Sequence, residues 1–125
     1  MSSKPEVSIP AEDAPTTLVI EDLVVGTGDE AKAGRNVDVH YVGVAWSTGK
    51  QFDASWDRNE TFEFRLGAGQ VIQGWDQVFQ QIKVGEKRLV IIPPELAYGT
   101  RGQPPKIPRN ATLVFEVELL EIIPD

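Results

Sequence analysis

The chain has no cysteine and a single histidine. The first absence excludes disulfides, thiolate nucleophiles and cysteine-ligated zinc. The second leaves a conventional zinc site short of ligands. Positive charge is also scarce. Lys+Arg 12 against Asp+Glu 19 give a formal charge of −7 over 125 residues. Phosphate contacts need a basic face, so nucleic acid is not an expected partner. Anionic membrane surfaces are disfavoured for the same reason. No stretch is apolar over the roughly 20 residues that span a bilayer. The N-terminus lacks a charged region followed by an apolar run, so no secretion signal is expected. A soluble cytoplasmic protein is the resulting expectation. There is no Gly-x-Ser-x-Gly elbow to support a Ser–His–Asp hydrolase. Gly26-Thr27-Gly28 lacks the further glycine and the strand–helix setting of a dinucleotide loop, and reads as a turn. His40, flanked by Val39 and Tyr41 in a strand-like run, reads as structural.

What remains suits one domain with a core: 41% of residues are hydrophobic and 25% are charged. Residues 1–17 carry Pro5, Pro10 and Pro15 among Ser, Glu, Asp and Thr. Such a mixture buries little apolar surface, so a flexible tail is expected there, with the domain occupying residues 18–125. Leu18 to Val25 is rich in β-branched residues and stops at the turn signal Gly26-Thr27-Gly28-Asp29. Val37, Val39 and Tyr41 alternate with Asp38, His40 and Val42, as a strand requires. Ser47-Thr48-Gly49-Lys50 reads as a hairpin turn. Phe62, Phe64 and Leu66 predict another strand.

Trp75, Val78, Phe79 and Ile82 stand at i, i+3, i+4 and i+7, the spacing of one helical face. Asp76, Gln77, Gln80 and Gln81 fall on the other. Gly85 is placed to end that helix. Leu89 to Ile92 predicts an apolar strand ending at Pro93-Pro94. Pro93 to Asn110 shows little periodicity, and its prolines predict a stiff, shaped loop, which is often functional. Leu113, Phe115, Val117 and Leu119 predict a final strand, with Glu116 and Glu118 on its solvated face. Many strands, short turns and one amphipathic helix predict an α+β fold, an antiparallel sheet with the helix packed on one face.

The aromatic residues Tyr41, Phe52, Phe62, Trp75, Tyr98 and Phe115 come from distant segments. Rings in a small β-rich domain either fill the core or line an apolar site. Asp53, beside Phe52 and just after a turn, either caps that turn or faces such a site. Asp57 and Arg58 read as a surface or loop ion pair.

Five motifs follow one another in order: Val39-His40-Tyr41-Val42-Gly43, Phe52-Asp53-Ala54-Ser55, Val71-Ile72-Gln73-Gly74-Trp75, Ala97-Tyr98-Gly99 and Ala111-Thr112-Leu113-Val114-Phe115. Together they resemble the FKBP-type peptidyl-prolyl cis-trans isomerases, the binding proteins of tacrolimus and rapamycin. The likeness runs from about Leu18 to Ile122. It implies a strongly bent antiparallel sheet of five to six strands wrapped around one short amphipathic α-helix, with a shallow apolar cleft between helix and sheet. Trp75 would form its floor under the substrate proline ring. Tyr41, Phe52, Phe62, Val71, Ile72 and Phe115 would wall it, with Ala97 nearby. Asp53 would present its carboxylate at the rim, with Arg58 interacting around it. Tyr98 and the Ile72 backbone N–H would donate to substrate carbonyls, and Ile107 would cover the cleft from the long loop. Asp53, Tyr98, Trp75 and Phe115 are the implied catalytic set. No cofactor and no metal are implied. The implied partners are proline-containing polypeptides and macrolides such as tacrolimus and rapamycin, acting on a monomer.

The chain departs from the family pattern at Gln103, often histidine; at Lys106, often apolar; and at Trp56, usually polar. These positions bear on substrate preference and partner surface. Beside an active isomerase stand two alternatives: a binding module of the same fold without turnover, and a holdase-type chaperone. The joint presence of Phe52, Asp53, Trp75, Tyr98 and Phe115 favours the isomerase. The segment from Ile92 to Asn110 is too short to hold the extra apolar flap a holdase needs.

Overall fold

The computed structural model describes residues 4–124. Its strands are Val19–Val24 (β1), Asn36–Ala45 (β2), Gln51–Ala54 (β3), Phe62–Arg65 (β4), Lys87–Ile92 (β5) and Leu113–Ile123 (β6), and its helix is Gln73–Val78 (α1). One six-stranded sheet has the order β1-β5-β6-β2-β3, with β4 also paired to β2. Every pairing is antiparallel. The expected α+β architecture is therefore present, a curled sheet around one short helix.

The period-2 pattern explains the core. Val37, Val39 and Tyr41 of β2 point inward, as do Leu113, Phe115, Val117 and Leu119 of β6, and all are buried. The two strands pair along their lengths from Asn36↔Ile123 to Ala45↔Leu113. On its other edge β2 changes partner. It pairs with β4 from Asn36 to Val39, and with β3 from Val42 to Val44. At the seam the ladder is spliced by a side chain. Ser55, fully buried, accepts a hydrogen bond from the Tyr41 N–H at 2.8 Å. The same hydroxyl lies 2.7 Å from His40 Nδ1. His40 also stacks on Trp56 with ring centroids 4.0 Å apart. Ser55 opens a 3-10 turn, Ser55–Arg58, that closes on Asn59 in the left-handed region at φ 50°.

The helix is shorter than the apolar spacing predicts. Trp75, Val78, Phe79 and Ile82 are all buried in the core, but α1 ends at Val78 and Phe79 is its C-cap. Non-local hydrogen bonds stop it. Gln81 N–H donates to the Ala31 carbonyl at 3.0 Å, and Ala31 N–H donates to the Ile82 carbonyl at 2.7 Å. Gln81 turns left-handed at φ 64° to do so. Gly85 does not end the helix; it belongs to the turn that leads into β5. Arg88 finishes the helix instead, donating from Nη1 to the Val78 carbonyl at 2.6 Å while its Nε holds Glu86 and Asp22. Cations favour helix C-termini, where carbonyls lack partners. Gly74 lets α1 lie close on the sheet, since a Cβ there would stand 2.6 Å from Ile92 Cγ2.

Two charge assignments differ from the reading of the residues alone. Asp57 pairs with Lys4 and Gln51 and not with Arg58, which reaches Asp53 as the family resemblance implies. Arg58 has a carboxylate in a better position across the 3-10 turn than its chain neighbour. Glu116 is half-buried against β5, and that burial raises its carboxyl above the usual range, so its strand face is not simply solvated. Within residues 4–12, Pro5, Val7 and Ile9 are the half-buried positions of an alternating run. Val7, Ile9 and Trp56 pack on Val42, Val44 and Ala54, on the sheet face opposite the main core. Glu12 accepts a hydrogen bond from Trp46 Nε1 at 3.0 Å through its carbonyl.

Candidate active site

The rings converge on one hollow of ≈ 250 Å³, lined by Tyr41, Phe52, Asp53, Phe62, Gln70, Val71, Ile72, Trp75, Tyr98 and Phe115. Trp75 comes from the first turn of α1 and is held by ring edges from three strands. Its centroid lies 4.9 Å from Tyr41 on β2, 5.9 Å from Phe62 on β4 and 5.4 Å from Phe115 on β6. The interplanar angles are 72–81°. Edge-to-face contacts of this kind are favoured by the ring quadrupoles and fix orientation. The indole is 5% exposed, and its Nε1 has no hydrogen-bond partner among the described residues. A buried unpaired N–H costs about 1–3 kcal/mol.

Gly43 makes the wall possible. A Cβ there would stand 2.6 Å from Phe52 and 2.7 Å from Phe115. Without it those rings meet at 5.5 Å and 87°. Val71 and Ile72 enter from the loop before α1, with Ile72 as its N-cap. That loop is tied down by Asp76, whose carboxylate accepts from the Gly67 and Gly69 N–H groups at 2.9 and 3.1 Å. Gln70 anchors it again by accepting from the Arg65 N–H at 2.9 Å.

The polar side of the hollow is a closed triad. Tyr41 donates its hydroxyl proton to Asp53 Oδ2 at 2.5 Å. Arg58 Nη1 donates to Asp53 Oδ1, and Nη2 to the Tyr41 hydroxyl at 2.9 Å. The guanidinium also stands 5.8 Å from the Tyr41 ring centre. Burial, reinforced by the hydrogen bond to Asp53, pushes the Tyr41 phenol up to about 12. Hydrogen bonds to Tyr41 and Asp53 hold Arg58 firmly protonated. Tyr98, 36% exposed on the long loop, is raised by burial of its ring and then by the Asp53 charge. It is thus a neutral hydroxyl at ordinary pH, free to donate outward.

Of the residues singled out from the sequence, Tyr41, Phe52, Asp53, Phe62, Val71, Ile72, Trp75, Tyr98 and Phe115 line the hollow together. Three do not. Ala97 packs half-buried against the core. Arg58 stands behind Asp53 and lines a neighbouring groove. Ile107 is buried and lines an adjoining cavity with Phe52, Asp53 and Tyr98. Gln70, Gly43 and Ser55 carry parts of the site without having been assigned one. Gln70 directly precedes the Val71-Ile72 motif, which is the one signal that marks it. Among the described residues no group of three or more His, Cys, Asp or Glu side chains could hold a metal ion. The hollow itself offers apolar walls, the Asp53 carboxylate, the Gln70 amide and two hydroxyls, of which Tyr41's is given to Asp53 and Tyr98's is not. That set can bind and orient a small ring and polarise a carbonyl.

Residues 28–120 match the FKBP-type peptidyl-prolyl cis-trans isomerase family. The FK506-binding protein of Streptomyces anulatus is 52% identical over 120 residues, covering 95% of this chain and 97% of that protein. The probable FK506-binding protein of Corynebacterium glutamicum is 45% identical over 117 residues, covering 94% and 97%. The crystal structure of AtFKBP13 superposes with a TM-score of 0.79 at 39% identity, covering 95% of this chain and all of that one. The match spans most of the chain and every ring of the hollow lies within it, so this protein belongs to the FKBP-type peptidyl-prolyl cis-trans isomerase family.

Proposed function

We propose that the chain is an active prolyl isomerase that turns X–Pro peptide bonds over the Trp75 indole. The observation that carries this reading is an open, ring-walled hollow with an indole floor and a polar rim of Asp53 and Tyr98. An amide resists rotation by about 18–20 kcal/mol because twisting removes C–N double-bond character. For X–Pro the cis and trans forms differ by only about 0.5–1 kcal/mol, yet they exchange over tens to hundreds of seconds. No bond to the enzyme is needed, and no proton leaves the substrate. The site has only to hold the twisted amide more tightly than either planar form. A millionfold acceleration corresponds to about 8 kcal/mol of such preference.

The rings supply a dry seat for the prolyl ring, with Tyr41, Phe62 and Phe115 fixing its orientation. Tyr98 donates its hydroxyl to a substrate carbonyl. Asp53 is not a general base here. Held by Tyr41 and Arg58, its charge is a fixed electrostatic feature of the rim that favours one distribution of charge in the twisting amide. Relatives bearing the name FK506-binding protein support FK506 (tacrolimus) as a ligand of the same hollow, and rapamycin is a second macrolide that the family resemblance implies. Residues 18–125 constitute the isomerase domain, and the segment before it, described from residue 4, docks on the outer face of its sheet through Val7 and Ile9. We place the protein in the cytoplasm as a monomer that assists the folding of proline-containing polypeptides.

The test is a protease-coupled or exchange assay on an X–Pro peptide with and without FK506. Turnover that FK506 suppresses is the expected result. Tight FK506 binding without turnover would leave a binding module of the same fold.

A further inference from the structure

The hollow does not end at Tyr98. Beyond it lies a cavity of ≈ 470 Å³ shared by Phe52, Asp53, Tyr98, Lys106 and Ile107. Next to that runs a groove of ≈ 640 Å³ reached by Lys50, Arg58 and Lys106. Phe52 and Asp53 line all three spaces, and Lys106 lines the two outer ones. A polypeptide with its proline over Trp75 must leave the hollow on some side. An extended chain advances about 3.3 Å per residue, so residues flanking the proline reach these outer spaces.

The charge of this outer region opposes that of the whole molecule. The protein carries −7, but from Leu96 to Phe115 there is no acidic residue, while Arg101, Lys106 and Arg109 are present. All three are exposed, as is Lys50 on the β2–β3 turn. None of the four enters an ion pair among the described residues. The two acids of the groove are already engaged, Asp53 by Arg58 and Asp57 by Lys4. The groove therefore presents Lys50 and Lys106 as its uncompensated charges.

Resting on the isomerase reading, we infer that the Lys50–Lys106 groove selects polypeptides with Asp or Glu near the proline. Nucleic acid is the less fitting polyanion, since the groove opens into a prolyl-sized hollow and the rest of the surface repels phosphate. Exposed cations beside a cleft act chiefly on encounter with the substrate, so the preference belongs in kcat/KM and fades with salt.

The experiment compares two peptides with one X–Pro core, flanked either by glutamates or by glutamines, on the full chain. The reading is the ratio of their kcat/KM values within each protein. The glutamate peptide is expected to be favoured about fivefold at low ionic strength, falling towards parity near 1 M salt where the screening length is about 3 Å. Lys50→Glu/Lys106→Glu should bring the ratio to one or below, and Lys106→Arg should keep it. A wild-type ratio of one at low salt, or a ratio the charge-reversed protein retains, overturns the inference while leaving the isomerase reading intact. Competition by a short single-stranded DNA as strong as by the glutamate peptide overturns it as well. No turnover on either peptide by the wild type removes the isomerase reading itself.

Discussion

Tyr41 does three jobs with one side chain. It walls the hollow, braces the indole at 4.9 Å and gives its proton to Asp53. Its raised phenol follows from burial first and from Asp53 second, and it has a sign that can be measured. The folded state holds the proton more tightly than an unfolded chain does. That share of stability is complete below the ordinary value of 10.0 and is lost as pH climbs through about 12. A Tyr98→Phe protein leaves Tyr41 as the lone phenol. Its absorbance titration should show phenolate rising near pH 12, with stability declining across the same alkaline window. A midpoint at 10 would mean that the phenol is neither buried nor held by Asp53 in solution. Trp75→Ala removes the floor and a buried ring, a change that costs about 3–5 kcal/mol. We expect near-complete loss of turnover with it, against a modest loss for Tyr98→Phe. Survival of both stability and turnover in Trp75→Ala would refute the floor assignment. Gly43→Ala forces a methyl against Phe52 and Phe115 and should cost about 1–3 kcal/mol by overpacking. Because the strain falls on the wall, FK506 affinity should drop as well. Unchanged affinity would show that the wall rings are free to move aside.

The strands were legible wherever one face is buried and the other is not. Val37-Val39-Tyr41 and Leu113-Phe115-Val117-Leu119 show their period because β2 and β6 pair over ten registers at the centre of the sheet. β3 is as short as β4, but its four residues run from exposed through half-buried to buried without alternating, so it displays no period. The helix was overextended because Ile82 is buried at a helical spacing but bonded through the backbone to residue 31, a contact no local pattern contains. The rings of the hollow could be named from motif order, whereas Gln70, Gly43 and Ser55 act through close approach and backbone bonding that side-chain type does not announce. Ser55 makes the point testable. Its hydroxyl bridges the seam where β2 passes from β4 to β3. Ser55→Ala leaves the buried Tyr41 N–H without its acceptor, a loss of about 1–3 kcal/mol in denaturant unfolding. It should also blur the Tyr41 titration, since that residue hangs from the spliced position. A variant as stable as the parent would show that the seam is held by something else.

The hollow draws on β2, β3, β4, α1, β6 and the long loop, so segments spread from Tyr41 to Phe115 meet at one site. No part of that set can unfold while the site stays whole. A domain of this size is expected to unfold in a single cooperative step. Ligand bound only to the folded state should then stabilise every element at once rather than one region. At a free FK506 concentration about 100 times its Kd the gain is about 2.7 kcal/mol. In denaturant this should appear as a higher midpoint with an unchanged slope, because the surface exposed on unfolding is the same. Amide exchange should slow alike in β1, which does not touch the hollow, and in β6, which does. Protection confined to the residues around Trp75 would mean that the site and the outer strands open independently. The curled sheet would then be a frame for a separately folding cleft, and the cooperativity argued from its construction would be lost.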